Sequence, residues 1–203
     1  MNSENCLKWN PKELESKVRK VVDGIVWIKV VALGNTGTGK TCLIKHFCES
    51  KFSNCYHATV GVDYGFKIQT VKEIPLRVHL WDFSGDSQYY DIRSELYSGT
   101  DACFLVFDVT NQASFQSLDG WLRETGRFGA LNSVVVVVGN KADLRSNKNC
   151  VSAAEARKWA STHKLQYFET SAFSGDGVSK LFEELLGAVV SAKKINLRPA
   201  TSS

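Results

Sequence analysis

Residues 34–41 read GNTGTGKT and follow directly on residues 25–33, IVWIKVVAL. The apolar stretch is dominated by β-branched residues, which predicts a strand buried on both faces of a parallel sheet. The stretch after it fits G-x-x-x-x-G-K-[ST], and Leu43, Ile44 and Phe47 behind it recur at helical spacing. A glycine-rich turn between a buried strand and a helix N-terminus is suited to phosphate. Its glycines let successive N–H groups point inward, and the helix end adds partial positive charge. The nucleotide-binding set predicted from this stretch is Gly34, Asn35, Thr36, Gly37, Thr38, Gly39, Lys40, Thr41 and Cys42. Within it, Lys40 is placed to reach the β- and γ-phosphates, and the Thr41 hydroxyl to ligate Mg²⁺.

The rest of the chain repeats this alternation of strand and helix. Residues 102–108 (ACFLVFD) and 134–139 (VVVVVG) predict two more buried strands. Residues 64–71 and 76–83 alternate apolar with polar around Lys72-Glu73, which predicts a hairpin and one antiparallel edge strand. Ser152 with Glu155 has the spacing of a capping box at a helix start. Val178, Leu181, Phe182, Leu185, Leu186, Val189 and Val190 form one apolar stripe on a final helix. The fold class is α/β, doubly wound, with its main domain over residues 25–192. Residues 1–24 are expected to be an extension with a short helix over 10–23, and residues 193–203 a disordered tail.

Composition excludes several functions. At 203 residues, 43% hydrophobic and 23% charged, the chain is long enough for one packed core and too apolar for a disordered one. Its net charge of +4 comes without a basic cluster of nucleic-acid type, so no nucleic-acid partner is expected. The six cysteines form no C-x-x-C pair or zinc spacing, and the start shows no signal peptide. They are expected to be reduced thiols in a cytoplasmic protein. No apolar run reaches membrane-spanning length, no glycine follows Met1, and the last cysteine is Cys150. No intrinsic lipid anchor is therefore expected.

Base selection is read further along the chain. NKAD, residues 140–143, directly follows the strand at 134–139, at the sheet end where ligands bind in such folds. The two oxygens of Asp143 match the N1–H and 2-amino donors of guanine, a pair that adenine lacks. Lys141 is placed to lay its stem on the base, and Asn140 to tie this loop to the phosphate loop. ETSA, residues 169–172, follows another short strand and offers the Ala172 N–H to the guanine O6, with Ser171 and Phe173 beside it. Together these segments argue against an ATPase or kinase.

With these motifs in register, the chain resembles a Ras-superfamily small GTPase of the Rab branch from about Val26 to Val190. The Rab-like segments are TVGVDYGF (59–66), WDFSG (81–85) and ETSA. DYG and YFETSA are similar to the Rab-like group whose animal members carry a C-terminal J domain, although no His-Pro-Asp occurs in these residues. The resemblance implies a P-loop small-GTPase domain with a mainly parallel six-stranded sheet, GTP or GDP with Mg²⁺, and a monomer. It implies that Thr59 completes Mg²⁺ coordination, Asp82 holds Mg²⁺ through water, and the Gly85 N–H meets the γ-phosphate. Phe52 would stack on the guanine and Tyr56 would close over the phosphates. Partners would be effectors at the two switch segments, an exchange factor and an activating protein, in vesicle or ciliary trafficking with a flagellar or basal-body setting.

The departures from that pattern concern hydrolysis. The family has a glutamine after the DxxG glycine to orient the attacking water; Asp86 stands there. It is shorter, cannot donate when ionised and adds negative charge beside an anionic phosphate. Gln88 is the substitute candidate, which makes the expected catalytic set Lys40, Gly85, Asp86 and Gln88. Thr36 puts a β-branched side chain where an arginine finger would pass. Phe173 replaces a lysine after TSA, and Leu96 stands where Rab proteins place an aromatic beside Tyr64 and Trp81. The expectation is a guanine-nucleotide switch with slow turnover; the alternative is a scaffold held in its GTP form.

Overall fold

The computed structural model describes residues 25–52, 57–128, 130, 132–145 and 150–195. The helix expected over residues 10–23, and Tyr56, lie outside them. Among the described residues, six strands form one sheet in the order β2-β3-β1-β4-β5-β6. The strands are β1 (Val26–Leu33), β2 (Val62–Val71), β3 (Ile74–Phe83), β4 (Ala102–Asp108), β5 (Val134–Asn140) and β6 (Gln166–Glu169). All neighbours run parallel except β2 with β3, which is the expected antiparallel edge. Lys72 and Glu73 both take positive φ, 48° and 66°, between the closing pair Val71 and Ile74. That is the two-residue turn whose twist suits a hairpin.

Six α-helices flank the sheet among the described residues: α1 (Lys40–Glu49), α2 (Tyr90–Glu95), α3 (Gln112–Gln116), α4 (Leu118–Arg127), α5 (Ala153–Thr162) and α6 (Val178–Ala192). One core lies between the sheet and α1 with α6, where Leu43, Ile44 and Phe47 meet Phe104 and the α6 stripe. The seven apolar residues read from the sequence for the final helix are the seven that α6 buries. A second core on the other face takes Phe115, Leu118, Trp121, Ala156 and Ala160 from α3, α4 and α5. Ser152 caps α5 by accepting from the Glu155 N–H at 3.1 Å. The Glu155 side chain does not return to Ser152; its Oε1 accepts from Gln112 Nε2 instead.

Two expectations change. β1 is buried on both faces only in its second half, and Trp27 is 60% exposed. Among the described residues no helix covers the sheet face formed there by β1, β3 and β2, where Trp27, Tyr64, Phe66 and Ile68 are exposed. The chain after Ala192 does not loosen at once: Ile195 N–H donates to Val190 O and its side chain packs on the first core.

Candidate functional site

The phosphate loop leaves β1 at Leu33 and enters α1 at Lys40, so the helix N-terminus and the loop amides face one space. Gly39 has φ +94°, and a Cβ there would fall 2.3 Å from Asn140 Nδ2. Only glycine fits that turn and that close approach together. The Asn140 amide holds the two loops in register, donating to Thr38 O at 2.9 Å while its Oδ1 accepts from the Ala172 N–H at 3.1 Å. Thr170 Oγ1 donates to the same oxygen. The Ala172 amide therefore points into the loop junction, toward Asn140.

Asp143 is held open to the space from the side, because Ser171 Oγ donates to its Oδ1 at 2.6 Å. Lys141 takes φ +63° and pairs with Asp108 at 2.6 Å, which anchors the loop after β5 to the end of β4. Phe52 and Phe173 meet edge to face at 5.3 Å on the rim. The space itself is a cavity of about 470 Å³. Thr36, Lys40, Thr41, Cys42, Phe52, Thr59, Gly85, Lys141, Asp143 and Phe173 all line it. Lys45, Lys51, His57, Ser84 and Leu144 line it as well and carried no motif signal. A larger concavity of about 680 Å³ between α1, β2 and α6 contains none of the motif residues.

Lys40 is buried, and its ammonium donates to the carbonyl oxygens of Gly34 at 2.8 Å and Asn35 at 3.1 Å. Burial lowers its pKa to about 8, with the Asp82 charge opposing that shift. A polyanion at the loop would restore the charge that burial disfavours. Thr41, Thr59 and Asp82 converge at one point. Thr41 Oγ1 donates to Asp82 Oδ2 and lies 3.1 Å from Thr59 Oγ1, which is 3.3 Å from the same carboxylate oxygen. Asp82 is 3% exposed, burial raises its pKa, and its Oδ1 is buried without a hydrogen-bond partner among the described residues. An orphaned buried carboxylate oxygen beside two hydroxyls is a hard-cation donor set, so these residues fit Mg²⁺.

Gly85 lies against the phosphate loop, where a Cβ would sit 2.3 Å from Thr36 N. Asp86 and Gln88 are elsewhere. Asp86 is exposed and caps a short 3-10 turn, Ser87–Tyr89, accepting from Gln88 N–H and from Gln88 Nε2, each at 3.0 Å. The two side chains named for catalysis are tied to each other, and neither lines the cavity.

A family model described as "Ras family" matches residues 29–191. The chain is 38% identical over 168 residues to "DnaJ homolog subfamily C member 27-A" of Xenopus laevis, covering 80% of this chain and 61% of that protein. It is 37% identical over 182 residues to "DnaJ homolog subfamily C member 27" of Homo sapiens, covering 87% of this chain and 66% of that protein. The chain thus spans about two thirds or less of the length of these relatives. Their names agree with the Rab-like resemblance carried by DYG and YFETSA. The strand order, the cavity built on the phosphate loop and the NKAD and ETSA segments, and the family match over most of the chain lead to one conclusion: the chain belongs to the Ras family of small GTP-binding proteins.

Proposed function

We propose that this chain is a guanine-nucleotide switch that binds GTP or GDP with Mg²⁺, presents residues 52–66 and 82–97 to effector proteins, and hydrolyses GTP slowly. The observation that carries the base assignment is Asp143, fixed by Ser171 on the wall of a cavity whose other end is the phosphate loop. Its carboxylate accepts both guanine edge donors, whereas adenine would leave that carboxylate unpaired. Phe52 and Phe173 enclose the ring. Lys40 and the loop amides neutralise the phosphates. Thr41, Thr59 and Asp82 would hold Mg²⁺, which when bound neutralises charge on the β- and γ-oxygens. Gly85, packed against the phosphate loop, would offer its N–H to the terminal phosphate.

Partner binding has its support in the sheet face left exposed among the described residues. Tyr64, Phe66 and Ile68 of β2 and Trp27 of β1 are each about half exposed or more. An apolar group of this kind beside the switch segments suits a protein surface. The second reading, a scaffold held with GTP, is favoured by one observation: Asp86 is engaged as a helix cap.

The test is competition of GDP, GTPγS, ADP and ATPγS against fluorescent GDP in excess Mg²⁺. Guanine nucleotides should displace the probe at concentrations at least a hundredfold lower than adenine nucleotides. Equal displacement by both contradicts the assignment.

A further inference from the structure

Arg93 is a buried charge that nucleotide binding leaves without a task. It lies on α2, in the segment after Gly85, and is 4% exposed. Its guanidinium divides between two sets of partners. Nε and Nη2 donate to the two carboxylate oxygens of Glu124 on α4, at 2.7 and 3.2 Å. Nη1 donates to the main-chain oxygens of Asp86 at 2.8 Å and Ser84 at 3.3 Å. Those two carbonyls belong to the residues on either side of Gly85.

The surroundings make this a fixed arrangement. Tyr97 donates its hydroxyl to Glu124 Oε1 at 2.8 Å, and burial with the adjacent carboxylate pushes that phenol well above its ordinary pKa. The guanidinium lies over the Trp121 ring, 4.8 Å from its centroid. Trp121 in turn donates Nε1–H to Asn35 Oδ1 of the phosphate loop at 2.8 Å. One cluster therefore joins α4, the phosphate loop and both flanks of Gly85. A buried guanidinium is tolerated only when its donors are directed at partners, and here a bidentate carboxylate and two carbonyls meet that need.

We infer that Arg93 is a positioning residue for Gly85: it holds both neighbouring carbonyls from behind and sets the Gly85 N–H for the terminal phosphate before nucleotide arrives. This rests on the reading that Gly85 meets that phosphate. Where the terminal phosphate is the main tether of the second switch segment, its loss releases the segment. Here the protein supplies a second tether that is present with GDP as well. The segment at 84–95 then changes little between nucleotide states, and a triphosphate meets a site already arranged.

The experiment compares GDP and GTPγS affinities of the full chain, wild type and R93Q, R93K and E124Q, together with amide hydrogen exchange over residues 84–95. R93Q and R93K should each weaken GTPγS about tenfold and leave GDP within twofold, since only the triphosphate reaches Gly85. Lysine fails because a compact ammonium does not match the fork that holds a carboxylate and two carbonyls. E124Q should shift the ratio in the same direction by a smaller factor, and it carries the test if R93Q does not fold. Wild-type exchange over 84–95 should agree within threefold between GDP and GTPγS, and in R93Q should be at least tenfold faster with GDP. Equal weakening of both nucleotides, an unchanged ratio, or wild-type exchange tenfold faster with GDP overturns the inference. If GDP still binds with guanine selectivity, such a result leaves the nucleotide reading standing. Wild-type binding without preference for guanine overturns that reading, and the inference with it.

Discussion

Asp143 and Asp86 are both exposed aspartates at short 3-10 turns, and their partners decide what each does. Ser171 fixes Asp143 with an accepting edge toward the cavity. Replacing it by asparagine removes two charge-assisted bonds, so Asp143→Asn should weaken GDP by about 3 kcal/mol, over a hundredfold. The amide can donate to the extra carbonyl of xanthine, so XDP should gain as GDP loses; a competition titration reads both. Thr41→Asn takes a hydroxyl from beside Asp82, and should weaken GTPγS more than GDP while raising the Mg²⁺ needed for binding. Titrating Mg²⁺ at fixed GTPγS checks it, and equal Mg²⁺ dependence in mutant and wild type contradicts the ligand role. Asp143 was legible in sequence because its neighbours Asn140 and Lys141 form a local motif. Asp86 was legible only as a substitution. Its capping of Ser87–Tyr89 was not foreseen, because that turn carries no apolar periodicity to announce it.

The elements divide in the same way. α6 could be read residue by residue, since seven apolar positions recur on one face and all seven are buried. Leu185→Ala should cost about 2–5 kcal/mol, read as a lower urea midpoint with unchanged slope. Ser152→Ala removes the cap of α5 and should cost about 1 kcal/mol in the same measurement. The hairpin was legible from Lys72-Glu73, with β2 beginning two residues earlier, at Val62, than the alternation suggested. α4 is a helix the sequence reading leaves out: Leu118, Trp121, Leu122 and Thr125 recur at helical spacing, but Gly120 and Gly126 lower its helix propensity. The exposure of Trp27 was missed for a different reason. Periodicity marks a strand as apolar, but which face a helix covers depends on the whole sheet.

Across the whole molecule, the loops after β1, β3, β5 and β6 meet at one end of the sheet, where an α/β fold gathers its ligand contacts. The contacts that fix those loops span long stretches of chain. Asn140 reaches Thr38, Trp121 reaches Asn35, and Arg93 reaches Glu124. Pairings at such separation leave no local signal, and for that reason the motifs pointed to the phosphate loop and base segments while the Arg93 cluster behind Gly85 left no trace in the sequence. The same assembly supports the proposed slow turnover. It supplies donors for the phosphates, but among the described residues Asp86 and Gln88 are engaged with each other and neither lines the cavity. Unassisted small GTPases with their glutamine hydrolyse at roughly 10⁻⁴–10⁻³ s⁻¹. The most direct measurement is single-turnover phosphate release from purified, GTP-loaded protein, wild type beside Asp86→Gln. The account predicts a wild-type rate at or below about 10⁻⁴ s⁻¹ and a rise of about tenfold in the mutant. A wild-type rate above about 10⁻³ s⁻¹, or no gain with glutamine, would contradict it.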